Sequence, residues 1–276
     1  MTPRSAFSAL ALIAAAVGPC DGQSLAARVA ATSDGRVRFT YAARPGVSGN
    51  GRNVIQWDCG RGACRQQVEG SFSDVSDGDW KGDCDSGPAT MRESFRVRIE
   101  LRMRRGAVSS LRVAVGGTWV GRPDVTDLGT VSAPEAARYL LSVARRSAGN
   151  AGGRAIFAAT LADSSYVSSE LLRIARDPDV ATETRRQAVF WVSQAAEVAA
   201  TRGLDSLVDE DTIDREVREQ AVFALSQRPR EEGVPALLRI ARTHHDPMLR
   251  RRAIFWLGQS NDPRALALFE ELLTRP

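Results

Sequence analysis

The sequence predicts an α+β chain divided by domain: a small β-rich module over residues 23–130, then an all-α solenoid of stacked helix pairs over residues 131–276. Three observations predict it. First, Arg218-Glu-Gln-Ala-Val-Phe-Ala-Leu-Ser-Gln227 is preceded by Arg185-Arg-Gln-Ala-Val-Phe-Trp-Val-Ser-Gln194 and followed by Arg250-Arg-Arg-Ala-Ile-Phe-Trp-Leu-Gly-Gln259. The leading arginine recurs after 33 and then 32 residues, as does the closing glutamine. Second, a Leu-Leu-x-Ile-Ala motif alternates with that segment, at Glu170–Arg176 and Ala236–Arg242. Third, Phe95-Arg-Val-Arg-Ile-Glu-Leu-Arg-Met103 alternates apolar and charged residues, as a half-buried strand does. Repeats of about 20–50 residues mark stacked units that bury their apolar sides only against one another.

Length and composition agree with this division. The 276 residues give room for one large domain or two smaller ones. Hydrophobic content of 43% and charged content of 25% belong to an ordinary globular chain and exclude a disordered or collagenous one. The charge of +4 comes almost wholly from arginine, Lys81 being the only lysine. So small an excess over this length does not predict a nucleic-acid partner.

The first residues read as a secretory signal. Arg4 precedes an apolar run from Ala6 to Val17, and small or polar residues follow, with cleavage expected after Gly22. The run is too short to span a bilayer, which takes roughly 20 residues. Val17-Gly-Pro-Cys20 also resembles a lipoprotein signal, against which Pro19 argues. A secreted or periplasmic location follows. Cys59, Cys64 and Cys84 then face an oxidising compartment, where pairing is favoured over zinc because a fourth ligand is missing. The preferred pair includes Cys84, since closing a longer loop constrains the unfolded chain more. Connectivity stays open.

In the module, Ser24–Ala31 reads as a short helix and Gly35–Ala42 as a strand, with Val54–Trp57 another strand candidate. Phe95–Met103 and Ala107–Val115 form a hairpin across a Gly-containing turn. Its charged face, with Arg96, Arg98, Glu100 and Arg102, is expected to be solvated rather than an anion site. The solenoid opens at Ser132-Ala-Pro-Glu135, a capping box with proline in the first turn. From there five Leu-type helices alternate with four Ala-aromatic ones. Gly153, Gly203, Pro229, Gly233 and the Asp-Pro pairs at 177, 246 and 262 are read as stops and starts between them.

At Asp246-Pro-Met-Leu-Arg-Arg-Arg-Ala-Ile-Phe-Trp-Leu-Gly258 the chain resembles a HEAT repeat of the short kind named after phycobilisome lyases. Asp246, Pro247, Leu249, Arg250, Ala253, Leu257 and Gly258 fit that motif, and Val217, Arg218, Ala221 and Leu225 fit it one unit earlier. The resemblance implies a HEAT-like solenoid whose second, Leu-type helices line the concave surface. It also implies that Asp214 and Asp246 tie to Arg185, Arg218 and Arg250 as a structural ladder between neighbouring repeats.

On the Leu-type helices, Arg173 with Arg176 and Arg239 with Arg242 each share a face, and Arg145 continues the row until Ser206 and Asp209 interrupt it. These five arginines are the candidate binding groove for a protein or peptide. Trp191, Trp256, Phe190, Phe223 and Phe255 are expected to be packing residues first. His244-His245 lacks the further ligands a metal needs. No catalytic residue is expected and no cofactor: the sequence has no Gly-x-Ser-x-Gly elbow, P-loop or His-Glu-x-x-His, nor the repeated His-Glu pairs of HEAT-type hydroxylases. The expected function is non-covalent recognition. A structural part in a cell-envelope assembly and an accessory enzyme domain stay open beside it.

Overall fold

A computed structural model describes residues 23–49, 53–60, 63–71, 80–81, 96–119, 121–147, 150–164, 166–195 and 197–274. The expected signal at residues 1–22, and the Cys84 on which the preferred disulfide depends, lie outside the described residues.

Helix α1 (Leu25–Ala30) opens the chain, its N-terminus capped by Ser24, whose Oγ accepts from the Ala27 amide at 3.3 Å. Strands follow as β1 (Gly35–Ala42), β2 (Val47–Gly49), β3 (Asn53–Gly60), β4 (Ala63–Ser71), β5 (Trp80–Lys81), β6 (Arg96–Arg104), β7 (Ala107–Val115), β8 (Thr118–Trp119) and β9 (Val125–Thr130). They form a four-stranded sheet in the order β7-β6-β1-β9, a three-stranded one, β2-β3-β4, and the short pair β5-β8. Strand β1 runs antiparallel to β6 and parallel to β9. The β3–β4 register sets Cys59 opposite Cys64.

The β6–β7 hairpin forms as expected. Its two-residue turn puts both Arg105 (φ 52) and Gly106 (φ 75) in the left-handed region, the backbone that matches the twist of paired strands. Val97, Ile99, Leu101 and Met103 face the core. The charged side of β6, however, is not uniformly solvated. Arg98 is buried beneath Trp119, 5.2 Å from its ring, and donates to the Thr118 carbonyl at 2.5 Å. Burial lowers the Arg98 pKa to about 10. The short strand β8 folds over this face, which alternation along β6 alone could not reveal.

Nine helices complete the described chain: α2 (Ala133–Arg146), α3 (Asn150–Thr160), α4 (Tyr166–Arg176), α5 (Thr182–Ser193), α6 (Val198–Asp209), α7 (Arg215–Ser226), α8 (Arg230–Thr243), α9 (Pro247–Gln259) and α10 (Pro263–Thr274). Even-numbered helices are the Leu type and α3, α5, α7 and α9 the Ala-aromatic type. The capping box at α2 is half realised. Ser132 Oγ accepts from the Glu135 amide at 3.3 Å, but the Glu135 carboxylate turns away to accept from the Leu25 amide at 2.7 Å. It thereby ties α1 to the first helix pair.

Sheet and helices share one core. Phe39 meets Tyr139 edge-on at 6.1 Å, and the Tyr41 hydroxyl donates to the Ala158 carbonyl at 2.5 Å. Arg44 donates through its amide to Leu161 O (2.8 Å) and through Nε to Thr160 O (2.9 Å). The sheet covers the open end of the α2–α3 pair, where a preceding repeat would otherwise pack. Stacked repeats need such a cap, because an end unit has one apolar side without a neighbour.

Three glycines are not the helix stops expected of them. Gly153 lies in α3, Gly203 in α6 and Gly233 in α8. At Gly233 an added Cβ would fall 2.2 Å from the Leu225 carbonyl oxygen, and at Gly203 2.4 Å from Leu172 Cδ1. These two permit close approach between helices, whereas at Gly153 an added Cβ would meet only Gln187, its Cγ at 3.6 Å, an ordinary contact.

Candidate partner-binding faces of the helical stack

The two rows of helices are unequally spaced. Along α3, α5, α7 and α9 the backbones approach closely, because alanines such as Ala188, Ala221 and Ala253 occupy the contacts. Along α2, α4, α6, α8 and α10 they stand farther apart. A stack spaced more tightly on one side bends toward that side. The Ala-aromatic row is therefore the inward one, and the expectation that Leu-type helices line the concave surface is reversed.

The five candidate arginines do form a continuous row on the wider-spaced side, each held by carboxylates. Arg145 donates to Glu170 (2.6 Å) and Asp177 (2.6 Å), and Arg173 pairs with Glu170 at 2.9 Å. Arg176 meets Glu210 at 2.8 Å. Arg239 meets Asp205 (2.7 Å) and Asp209 (3.0 Å), and Arg242 meets Glu271 (3.3 Å). Apart from Arg173–Glu170, these pairs bridge successive Leu-type helices or the loops that end them. Ser206 and Asp209 do not interrupt the row: Ser206 binds Glu210 at 2.9 Å, and Asp209 supplies a partner for Arg239. Burial works against the charge of Glu170, yet hydrogen bonds from Arg145, Tyr166 and Arg173 outweigh it and hold the carboxyl below its usual value. Arg176 does the same for Glu210.

The Arg–Asp ladder is formed in altered register. Arg185 contacts Asp214 across the repeat boundary. Arg218 turns instead to Asp211 at 2.7 Å, leaving Asp246 to cap the Met248 amide at 2.8 Å with Arg215 3.7 Å away. Arg250 donates to the carbonyls of His244 (2.7 Å) and His245 (3.1 Å). His244 is buried: its Nδ1 accepts from the Asp246 amide at 3.0 Å, which assigns the ring proton to Nε2, 3.2 Å from Val208 O. His245 stacks on it at 4.5 Å. Among the described residues no cluster of His, Cys, Asp and Glu could hold a metal ion.

The inward row carries aromatics at one register: Phe157, Phe190, Phe223 and Phe255. Trp191 leans on Phe157 of the preceding helix pair (5.2 Å) and on Phe190 (5.3 Å). Trp256 does likewise with Phe223 (5.0 Å) and Phe255 (4.9 Å). Ala224 stands where the third tryptophan would be, so the stripe divides into two clusters. Phe190, Phe223 and both tryptophans are only half-buried, and Phe255 is 53% exposed. A cleft of about 320 Å³ crosses three helices of this row, lined by Arg186 of α5, Glu219, Gln220 and Phe223 of α7, and Arg252 and Trp256 of α9. Arg252 pairs with Glu219 at 3.1 Å. The phenylalanine register was visible in the sequence. What it did not disclose is that this side curves inward.

Antiparallel helix pairs stacked in one direction, capped by a sheet and presenting a curved row, define a helical-repeat scaffold. Residues 204–276, from within α6 to the chain end, match the family model of HEAT repeats, a likeness that covers about a quarter of the chain. No curated protein matches the chain.

Proposed function

We propose that this chain is an exported HEAT-repeat scaffold that holds a protein or peptide partner on the inward row of α5, α7 and α9, without catalysis. The observation that carries the reading is the aromatic stripe with Phe255 standing 53% exposed in it. Aromatic side chains flanked by arginines on a rigid surface are the composition of binding hot spots, since they bury much area at little conformational cost. The flanking groups mix signs, with Arg186, Arg251 and Arg252 among Glu216 and Glu219, which suits a polypeptide better than a polyanion. The row on the other side is a weaker candidate, because its arginines are tied from helix to helix by carboxylates and no aromatic residue recurs at one register along it. Export rests on the Arg4 and Ala6–Val17 pattern. No described helix is long and apolar enough to cross a membrane.

Affinity capture from a cell-envelope fraction tests the reading. A stoichiometric partner held by the native chain should be lost with the pair Phe255→Asp and Arg251→Glu, and kept with Arg173→Glu. A partner insensitive to the first pair but lost on changing the sheet would move the function to the β module. Turnover of a substrate without any partner would contradict it altogether.

A further inference from the structure

Helix α1 packs on α2, but it is 6 residues long against 14. At 1.5 Å per residue it spans about 9 Å beside about 21 Å, so it covers less than half of that flank. The β6–β7 hairpin does not close the remainder. A cleft of about 480 Å³ is left between them, with Val29 of α1, Met103 and Val108 of the hairpin, and Tyr139 and Val143 of α2 as apolar walls. Its polar side chains besides the Tyr139 hydroxyl are Ser109, Arg146 and Ser147, and none is acidic. Arg146 is exposed and donates to Ser142 Oγ at 3.1 Å, and among the described residues it meets no carboxylate. Its charge nevertheless reaches into the cleft, where it opposes the rise to about 12 that burial gives the Tyr139 hydroxyl.

The later repeats show what this position holds elsewhere. Asp177 after α4 and Glu210 after α6 stand in register with Arg146, and Thr243 does so in α8. Each of the two carboxylates accepts from an arginine of the preceding Leu-type helix, Arg145 and Arg176. At α2, which follows no such helix, a guanidinium replaces the carboxylate, and none of the described residues supplies its anion. We propose that the cleft binds a fatty carboxylate, its acyl chain along Val29, Met103, Val108 and Val143 and its carboxylate on Arg146. The chemistry of the lining selects that class. Clefts of about 300–1,000 Å³ with apolar walls and few polar groups take small molecules. One guanidinium engages one carboxylate through two parallel N–H donors. A dianionic phosphate is disfavoured, because Arg146 is the one cation of the lining and sits in the last turn of α2, where the helix dipole is negative. The inference goes beyond partner capture and does not rest on it, since no residue from α4 onward lines the cleft.

The test uses the full chain with methyl-13C-methionine, the Met103 resonance being assigned among the four methionines through Met103→Leu. Decanoate, kept below its micelle concentration, should shift that resonance saturably. Octanoate should bind about 15-fold more weakly, at about fourfold for each methylene withdrawn from water. Arg146→Gln should weaken decanoate at least about tenfold while changing decanol binding by less than about twofold, and Arg146→Lys should restore part of the loss. Both variants should keep the native Tm, because Arg146 is exposed and makes no ion pair among the described residues. The proposal is overturned if decanoate leaves Met103 unmoved, if octanoate binds equally well, or if Arg146→Gln binds decanoate as tightly as the native chain does. Tighter binding of decyl phosphate than of decanoate would overturn it too. The titration needs no partner, so it stands if inward-row capture fails, and the two readings fail separately.

Discussion

Arg228 places all five of its N–H donors although its side chain is only 3% exposed. A buried guanidinium is tolerable only when every donor is satisfied, and here the satisfaction comes from the neighbouring repeat. Arg228→Met should therefore cost about 2–4 kcal/mol in urea unfolding, since it strands Glu232 and several carbonyl acceptors. Arg228→Lys should recover only part, because an ammonium cannot reach five acceptors in a plane. Sequence reading passed over this residue because it lies just past the repeated motif and varies among repeats, as Ala195 and Ser260. It singled out Arg185 and Arg218 instead, and both are indeed buried, though Arg218 chose the nearer Asp211 over Asp246.

At the level of the elements, glycine discriminates between two kinds of helix position. Gly233→Ala should destabilise by about 1–3 kcal/mol, because its new methyl would meet the Leu225 carbonyl that α8 packs against. Gly258→Ala should stabilise by up to about 1 kcal/mol, since its nearest neighbour is Phe269 Cζ at 3.9 Å and alanine is the better helix former. Thermal melts of the two variants check both signs. Acid should loosen the Leu-type row. Arg176 holds the Glu210 carboxyl below its usual 4.5, and Arg264 lowers Asp262 from 3.8 to about 2. Carboxylates with depressed folded values contribute stability that is present above the unfolded values and lost as pH falls through the folded ones. Unfolding free energy should thus stay level above about pH 5 and fall between about pH 4.5 and 2, as denaturant titrations across that range would record. The helices themselves were legible from their recurring motifs, the Ser132–Glu135 cap and the Asp-Pro pairs between them. The glycines were misread because one letter serves both for stopping a helix and for letting another helix come close.

Over the whole molecule, one core runs from Phe39 and Ile99 in the sheet through Tyr139 and Ile156 to Leu268 in α10. Each repeat packs only on its neighbours, so protection against exchange should fall along the stack. Amides of α2 and α3, sandwiched between sheet and repeats, should exchange slowest. Those of α10, where Leu266, Leu272 and Leu273 stand exposed, should exchange fastest. Equal protection across all nine of these helices would contradict that gradient. The period near 33 residues announced the stack, and the alternation along Phe95–Met103 announced the hairpin. Neither could say that the sheet would serve as the stack's cap, because contacts such as Tyr41 with Ala158 join residues far apart in the chain. Nor could a repeat period tell which side closes up. Curvature depends on the spacing of two rows, and that follows from alanine contacts on one side and long ion pairs on the other.

The central claim is that partners are held by the aromatic, inward row rather than by the arginine row opposite. Once a partner is in hand, calorimetric titration against two double variants decides it. Phe223→Ala with Phe255→Ala should weaken Kd by about 100-fold, the loss of roughly 2.7 kcal/mol that a paired hot spot carries. Arg173→Ala with Arg242→Ala should change it by less than about threefold, the scale of exposed ion pairs. The opposite order, with affinity lost through the arginines and kept without the phenylalanines, would contradict the account.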